Sequence, residues 1–274
     1  MDSQSKVALD IQQALAGGHL TPSSSQTLLA NLQGSGIPKT LGVQIPLMES
    51  FIPLIFNLVI DVTGSMSGYE TVVVNAVNAM LDDIEKMMGK TGQEIYVRIT
   101  VFSILNGMEN IRVIRDFIHV QDCQRLTSVD YVPNGLTPLF EGIYDGVIAT
   151  STFGASAFSY GATGVQEVTV ILSDGHEYHP NIAPVRTNDE VRRLLKELNS
   201  KPHFTVAFVG VGDEADFRQV ALDAGIPEGN IVTVEKSMKG ITHALMLVSS
   251  SMGAKSKGMQ SQKTAVNTNF FTNI

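Results

Sequence analysis

The run Leu54–Asp61, LIFNLVID, constrains this chain more than any other stretch. Large apolar and β-branched side chains follow one another without the polar alternation of a half-exposed strand, and the run stops at an acidic turn rich in glycine and serine. A strand buried on both faces reads this way, and such strands belong to parallel sheets sandwiched between helices. The rest of the chain must therefore supply covering helices and partner strands.

It does so by alternation. After the first strand, Tyr69–Met88 places Val73, Val77, Met80, Leu81, Ile84 and Met88 at steps of three and four, an apolar stripe that stops before Gly89. Strand-like runs recur at Ile95–Phe102, Ile111–Val120, Glu167–Leu172, Phe204–Val209 and Asn230–Val234, and helical patterns at Pro138–Thr150, Asn188–Asn199, Asp213–Ala224 and Ser237–Ser249. Only the second and third strands follow each other without a helix. Their short link, Leu105-Asn-Gly-Met-Glu109, closes an antiparallel hairpin, because a parallel return needs a longer crossover. The predicted fold class is α/β: a doubly wound, mostly parallel six-stranded sheet with one antiparallel edge strand and helices on both faces.

At 274 residues and 43% hydrophobic content, the chain suits one large domain with appendages. Residues 1–50 read as an N-terminal helical annex, 51–252 as the domain, and 253–274 as a polar tail. The annex holds two short helical patterns. Val7–Leu15 ends at Gly17-Gly18, and a second pattern opens at Thr21-Pro22-Ser23 and runs through Leu32. Helices this short are marginal alone, so the annex is expected to pack on the domain or on a second copy of the chain. The tail ends in Phe270-Phe271-Thr-Asn-Ile274, which reads either as a mobile leash or as an anchor for another chain.

Charge excludes some partners. Nineteen basic against 27 acidic residues give a formal charge of -8, an unfavourable footprint for nucleic acid or anionic lipid. The single cysteine, Cys123, excludes an internal disulfide and a Cys-rich zinc site, and fits a reducing cytoplasmic setting. The opening MDSQSKVALDIQQAL lacks the pattern of a secretory signal, and Ile45–Ile60 is interrupted by Glu49, Ser50, Pro53 and Asn57, so no membrane span is expected.

Ligands of doubly wound sheets bind beyond the carboxyl ends of the strands, and three loops there carry chemistry. The first, Asp61-Val-Thr63-Gly-Ser65-Met-Ser67, gathers a carboxylate and hydroxyls, hard oxygen donors suited to Mg²⁺, Mn²⁺ or Ca²⁺. The same run is also an N-cap signature. The second, Asn134-Gly-Leu-Thr137-Pro138, offers a hydroxyl at a helix start and also reads as a cap. The third, Leu172-Ser-Asp174-Gly175, leaves a carboxylate at a strand end, where Asp-Gly is also an ordinary turn.

Together these loops resemble the von Willebrand factor type A family, whose metal ion-dependent adhesion site joins an Asp-x-Ser-x-Ser turn to a distant Thr and a distant Asp. The matching residues are Asp61, Thr63, Ser65, Thr137 and Asp174, with Thr63 standing where the family more often has serine. The resemblance spans residues from about 54 to 250. It implies that Ser65 and Thr63 hold a divalent cation directly, Thr137 directly or through water, and Asp61 and Asp174 through water or in a conformation-dependent way. It further implies that an Asp or Glu of a protein partner completes the shell, the partner often being an AAA+ ATPase or part of a multi-protein machine. Asp61 and Thr137 are expected to line a surface site and not the core.

Other readings stay open at this point. Asp174-Gly-His176-Glu177-Tyr-His179 could serve a metal-dependent hydrolase, although His176 and His179 lack the helical spacing of a His-Glu-x-x-His motif. Gly210, Gly212, Gly225 and Gly229 do not form a phosphate loop, which disfavours nucleotide binding. Self-assembly through the annex and tail is the remaining alternative.

Overall fold

The structure, a computed structural model, describes residues 12, 52–175, 177, 186–212, 216–260 and 269–271. Apart from residue 12, the annex therefore lies outside the described residues, as do His176 and His179. In chain order the elements are β1 (Leu54–Asp61), α1 (Glu70–Thr91), β2 (Ile95–Leu105), β3 (Met108–His119), α2 (Leu139–Ala157), β4 (Gln166–Ser173), α3 (Asn188–Leu198), β5 (Phe204–Val211), α4 (Asp216–Asp223), β6 (Ile231–Val234) and α5 (Met238–Gln260).

The strands form one six-stranded sheet in the order β3-β2-β1-β4-β5-β6. Every neighbouring pair is parallel except β2 with β3. All residues of β1 are buried, as its unbroken apolar run required. Its side chains part by the two-residue period of a strand. Leu54, Phe56, Leu58 and Ile60 join a core with α1 and α5, while Val59 enters the core made with α2, α3 and α4. Both faces of the sheet are thus sealed, and the order of connection reverses at β1, with β2 on one side and β4 on the other. That reversal places a crevice at the carboxyl ends of β1 and β4.

The antiparallel hairpin is closed as its sequence dictates. Asn106 and Gly107 take positive φ of 53° and 74°, the pair of left-handed residues that a type I′ turn needs. The turn lets the pairing zip to Leu105↔Met108, so both strands run longer than their apolar runs alone indicated. On the opposite face α2 presses onto β1. A Cβ at Gly146 would lie 2.5 Å from a Val59 methyl, and the Asn57 amide donates to the Gly146 carbonyl at 2.9 Å. Gly146→Ala would force the helix off the sheet.

Three helix ends differ from the sequence expectation. Helix α1 passes through exposed Gly89 and stops at Gly92, whose φ of 68° gives the left-handed cap. Helix α2 continues to Ala157 because Phe153, Ala155 and Ala157 keep a buried face. Helix α5 continues past Ser249 to Gln260, because Ile241, Leu245, Val248, Met252 and Ser256 keep one buried stripe. Its small residues Ser249, Ser251 and Gly253 suit close packing on α1. The tail expected from residue 253 thus begins inside a helix.

The reading of Phe270-Phe271 as a free leash or an anchor for another chain also needs correction. Phe270 is 2% exposed within the core that β1, α1 and α5 share. Its backbone N–H donates to Asn230 Oδ1 at 2.6 Å, and the Asn230 amide donates to the Val206 carbonyl at 2.9 Å. The sequence showed polar residues around the two rings but not the buried asparagine that receives them. No described helix is long and apolar enough to cross a membrane.

Candidate functional site

The site is built outward from the end of β1. Asp61 is fully buried, with Oδ1 accepting from the Thr63 N–H at 2.9 Å and Oδ2 accepting from the Ser173 hydroxyl at 2.5 Å. Burial pushes its pKa up to about 6. The hydrogen bonds from Ser173 and Thr63 pull it back, and the nearby charge of Asp174 pushes it further up. Thr63, Thr137 and Asp174 are also buried, while Ser65 is exposed. The expectation that Asp61 and Thr137 line a surface is therefore corrected: both are buried in a sunken cluster that reaches solvent at Ser65. The cover includes Tyr131, whose hydroxyl donates to the Asp61 carbonyl at 2.8 Å.

The second loop is tied to the first through backbone. Gly64 N–H donates to the Gly135 carbonyl at 3.0 Å, and Asn134 N–H to the Val62 carbonyl at 2.8 Å. Gly135 can hold this position because its φ is +89° and because a Cβ there would lie 2.0 Å from the Ile104 carbonyl oxygen. The third loop closes the cluster. Ser65 Oγ donates to Asp174 Oδ1 at 2.7 Å and lies 3.0 Å from Thr63 Oγ1. Thr137 borders it from the other side, since a Cβ at Gly175 would come within 2.9 Å of Thr137 Oγ1. The fold thus brings Asp61, Thr63, Ser65, Thr137 and Asp174 to one place.

Capping does not account for these hydroxyls. Thr63 makes no side-chain capping bond to the short 3₁₀ turn Gly64–Met66, and α1 begins at Tyr69 without a side-chain cap. Helix α2 begins at Pro138, again without one. Its first turn is served by Glu177, whose Oε2 accepts from the Phe140 N–H at 2.8 Å. Burial pushes Glu177 up to about 8, with the N–H groups of Phe140 and Leu139 opposing and Glu141 adding to the shift. Glu177 is thus engaged at a helix end.

Sequence reasoning missed three groups. Ser173 lay inside a quoted motif but was given no part. Tyr131 has no local pattern. Lys236 follows β6, whose carboxyl end the same loop rule would have flagged. Its Nζ lies 2.5 Å from Asp174 Oδ2 and donates to the Ser65 carbonyl at 2.9 Å. The contact with Asp174 is an ion pair without hydrogen-bond alignment, and Oδ2 is buried with no hydrogen-bond partner among the described residues. Its own backbone carbonyl accepts from the Tyr69 hydroxyl at 2.8 Å.

No family model and no curated protein matches the chain. Solved structures do. The pilus adhesin SpaC of Lactobacillus rhamnosus GG matches 77% of this chain and 32% of its own length at a TM-score of 0.54 and 12% identity. The PilB minor pilin of Streptococcus sanguinis matches 76% of this chain and 63% of its own at 0.52 and 13%. An Rpn10 VWA domain matches 71% of this chain and 94% of its own at 0.46 and 11%. These likenesses show the fold alone, a doubly wound, Rossmann-like α/β sheet with one antiparallel edge strand. The chain spans about a third of the adhesin and less than two thirds of the pilin.

Proposed function

We propose that this chain is a divalent-cation-dependent protein-protein interaction domain that binds an acidic residue of a partner. The observation that carries this reading is the convergence of Asp61, Thr63, Ser65, Thr137 and Asp174 at the carboxyl ends of β1 and β4, with three hydroxyls that cap no helix. The donor set fits a hard cation: it contains only oxygen, and one buried carboxylate oxygen, Asp174 Oδ2, is already paired with a positive charge. A bound Mg²⁺, or Mn²⁺ or Ca²⁺ in its stead, would supply a positive centre with room for one further carboxylate.

The residues divide the work. Thr63 and Ser65 offer neutral hydroxyls and so leave that charge uncancelled, while Asp61 and Asp174 hold the loops through their hydrogen bonds. An acidic partner group would approach from the Ser65 side, where the cluster is open. Exposed Val129 and Val132 lie in the chain segment leading to Thr137, and exposed Met238 follows Lys236 by two residues, so apolar side chains flanking the partner's acid would find surface to bury. SpaC is a pilus adhesin and PilB a minor pilin, which supports an interaction or adhesion role at the level of the shared fold. An AAA+ ATPase or another component of a multi-protein machine, and a cytoplasmic setting, belong to the same proposal.

Capture of partners from native lysate tests it, with Mg²⁺ and with chelator in parallel, for wild type, Asp61→Asn and Thr137→Ala. Capture that needs Mg²⁺ and is lost in both variants is expected. Capture that ignores chelator and both substitutions would refute the metal-dependent role.

A further inference from the structure

The ammonium of Lys236 sits where the candidate site gathers its negative charge. It is 2.5 Å from Asp174 Oδ2 and 2.9 Å from the Ser65 carbonyl, and 5.8 Å from the centre of the Tyr69 ring. Asp174 and Ser65 are two of the five residues assigned to the metal, and Ser65 Oγ is itself turned to Asp174 Oδ1. A cation on a four-carbon tether therefore satisfies the same carboxylate that a divalent ion would use. Two positive charges do not share one buried oxygen without strong repulsion.

We infer that Lys236 is a tethered cation that competes with a divalent ion for the adhesion site, so that its ammonium must leave Asp174 before the ion can bind there. The inference rests on the metal reading above and adds the regulation of that site. Lys236 is well placed to report the exchange. Its backbone carbonyl is held by the Tyr69 hydroxyl at the start of α1. The next residue, Ser237, accepts from the Gly240 N–H through its hydroxyl at 3.0 Å and from the Ile241 N–H through its carbonyl at 3.0 Å, so it opens α5. Expulsion of the ammonium frees a side chain attached directly to the first turn of the helix that covers the core.

The side chain of Lys236 is 33% exposed, so replacing it does not open the core. Mn²⁺ titration calorimetry on the full chain compares wild type with Lys236→Met and Lys236→Gln at one pH and salt concentration. Both variants are expected to bind Mn²⁺ about tenfold more tightly, on the order expected when a competing, partly screened charge is removed. A change in local charge alone would also tighten binding, so a second measurement follows the side chain. The rate at which Lys236 is acylated by a water-soluble ester, read by peptide mass spectrometry on wild type, should rise when Mg²⁺ is added. Equal Mn²⁺ affinity in wild type and variants, or an acylation rate indifferent to Mg²⁺ while Mn²⁺ still binds, overturns the plug and leaves the metal site standing. Absence of Mn²⁺ binding in all three proteins overturns both.

Discussion

Arg98 and Asp116 show that a short charge separation does not fix the balance of forces. The Arg98 side chain is wholly buried, with Nη2 3.1 Å from Asp145 Oδ2 on α2 and Nε 3.7 Å from Asp116 Oδ1 on β3. The second contact lacks hydrogen-bond alignment, since Arg98 Nε and Asp116 Oδ1 are buried without hydrogen-bond partners among the described residues. Burial therefore outweighs the guanidinium: Asp116 is pushed up from 3.8 to about 6, with Arg98 opposing and the charge of Asp145 assisting. A carboxyl that holds its proton more tightly in the folded state gives stability that is complete below about pH 4 and lost as pH rises through about 6. Asparagine cannot ionise. The stability of Asp116→Asn relative to wild type should therefore rise between pH 4 and pH 7.5, by at most about 3 kcal/mol for a shift of roughly two units. Urea denaturation at a series of pH values measures it, and a difference that stays flat or falls with pH would contradict the assignment.

At the scale of elements, β1 and α1 were legible because each carries its period in contiguous residues. Apolar side chains fill Leu54–Asp61 except at Asn57 and Asp61, and the stripe from Val73 to Met88 repeats at three and four. The end of α5 was not legible, because the polar run Ser249-Ser-Ser251 interrupts the apolar pattern while the helix continues and buries Ser249 and Ser251 beside Met252. The docking of Phe270 was hidden for a different reason: the asparagine that accepts its N–H is 40 residues away in the chain and has no local signature. That docking joins the last described residues to the sheet, so Phe270→Ala should destabilise the fold by about 3 kcal/mol, as loss of a buried phenyl ring commonly does. Urea titration with an unchanged slope and a lowered midpoint is the expected result. A loss below about 0.5 kcal/mol would show that the ring adds little to the core.

On the scale of the whole molecule, doubly wound topology turns weak loop signals into one site. Each of Asp61-Val-Thr63-Gly-Ser65, Thr137-Pro138 and Ser173-Asp174-Gly175 also reads as a cap or a turn, and the sheet order alone puts them on one edge. The candidate donors were therefore readable from sequence, but their depth was not, because Tyr131 covers Asp61 through a contact that spans 70 residues. Lys236 was missed on the same ground, being 171 residues from the Ser65 carbonyl it reaches. The proposed role requires that this convergence hold a divalent cation. Mn²⁺ binding followed by electron paramagnetic resonance on the full chain, with Mg²⁺ as competitor, tests it most directly. One saturable Mn²⁺ per chain is expected, displaced by Mg²⁺ and weakened about tenfold or more in Thr137→Ala, on the scale of one lost oxygen ligand, with the melting temperature nearly unchanged. No saturable binding, or binding equally tight in Thr137→Ala, would contradict it.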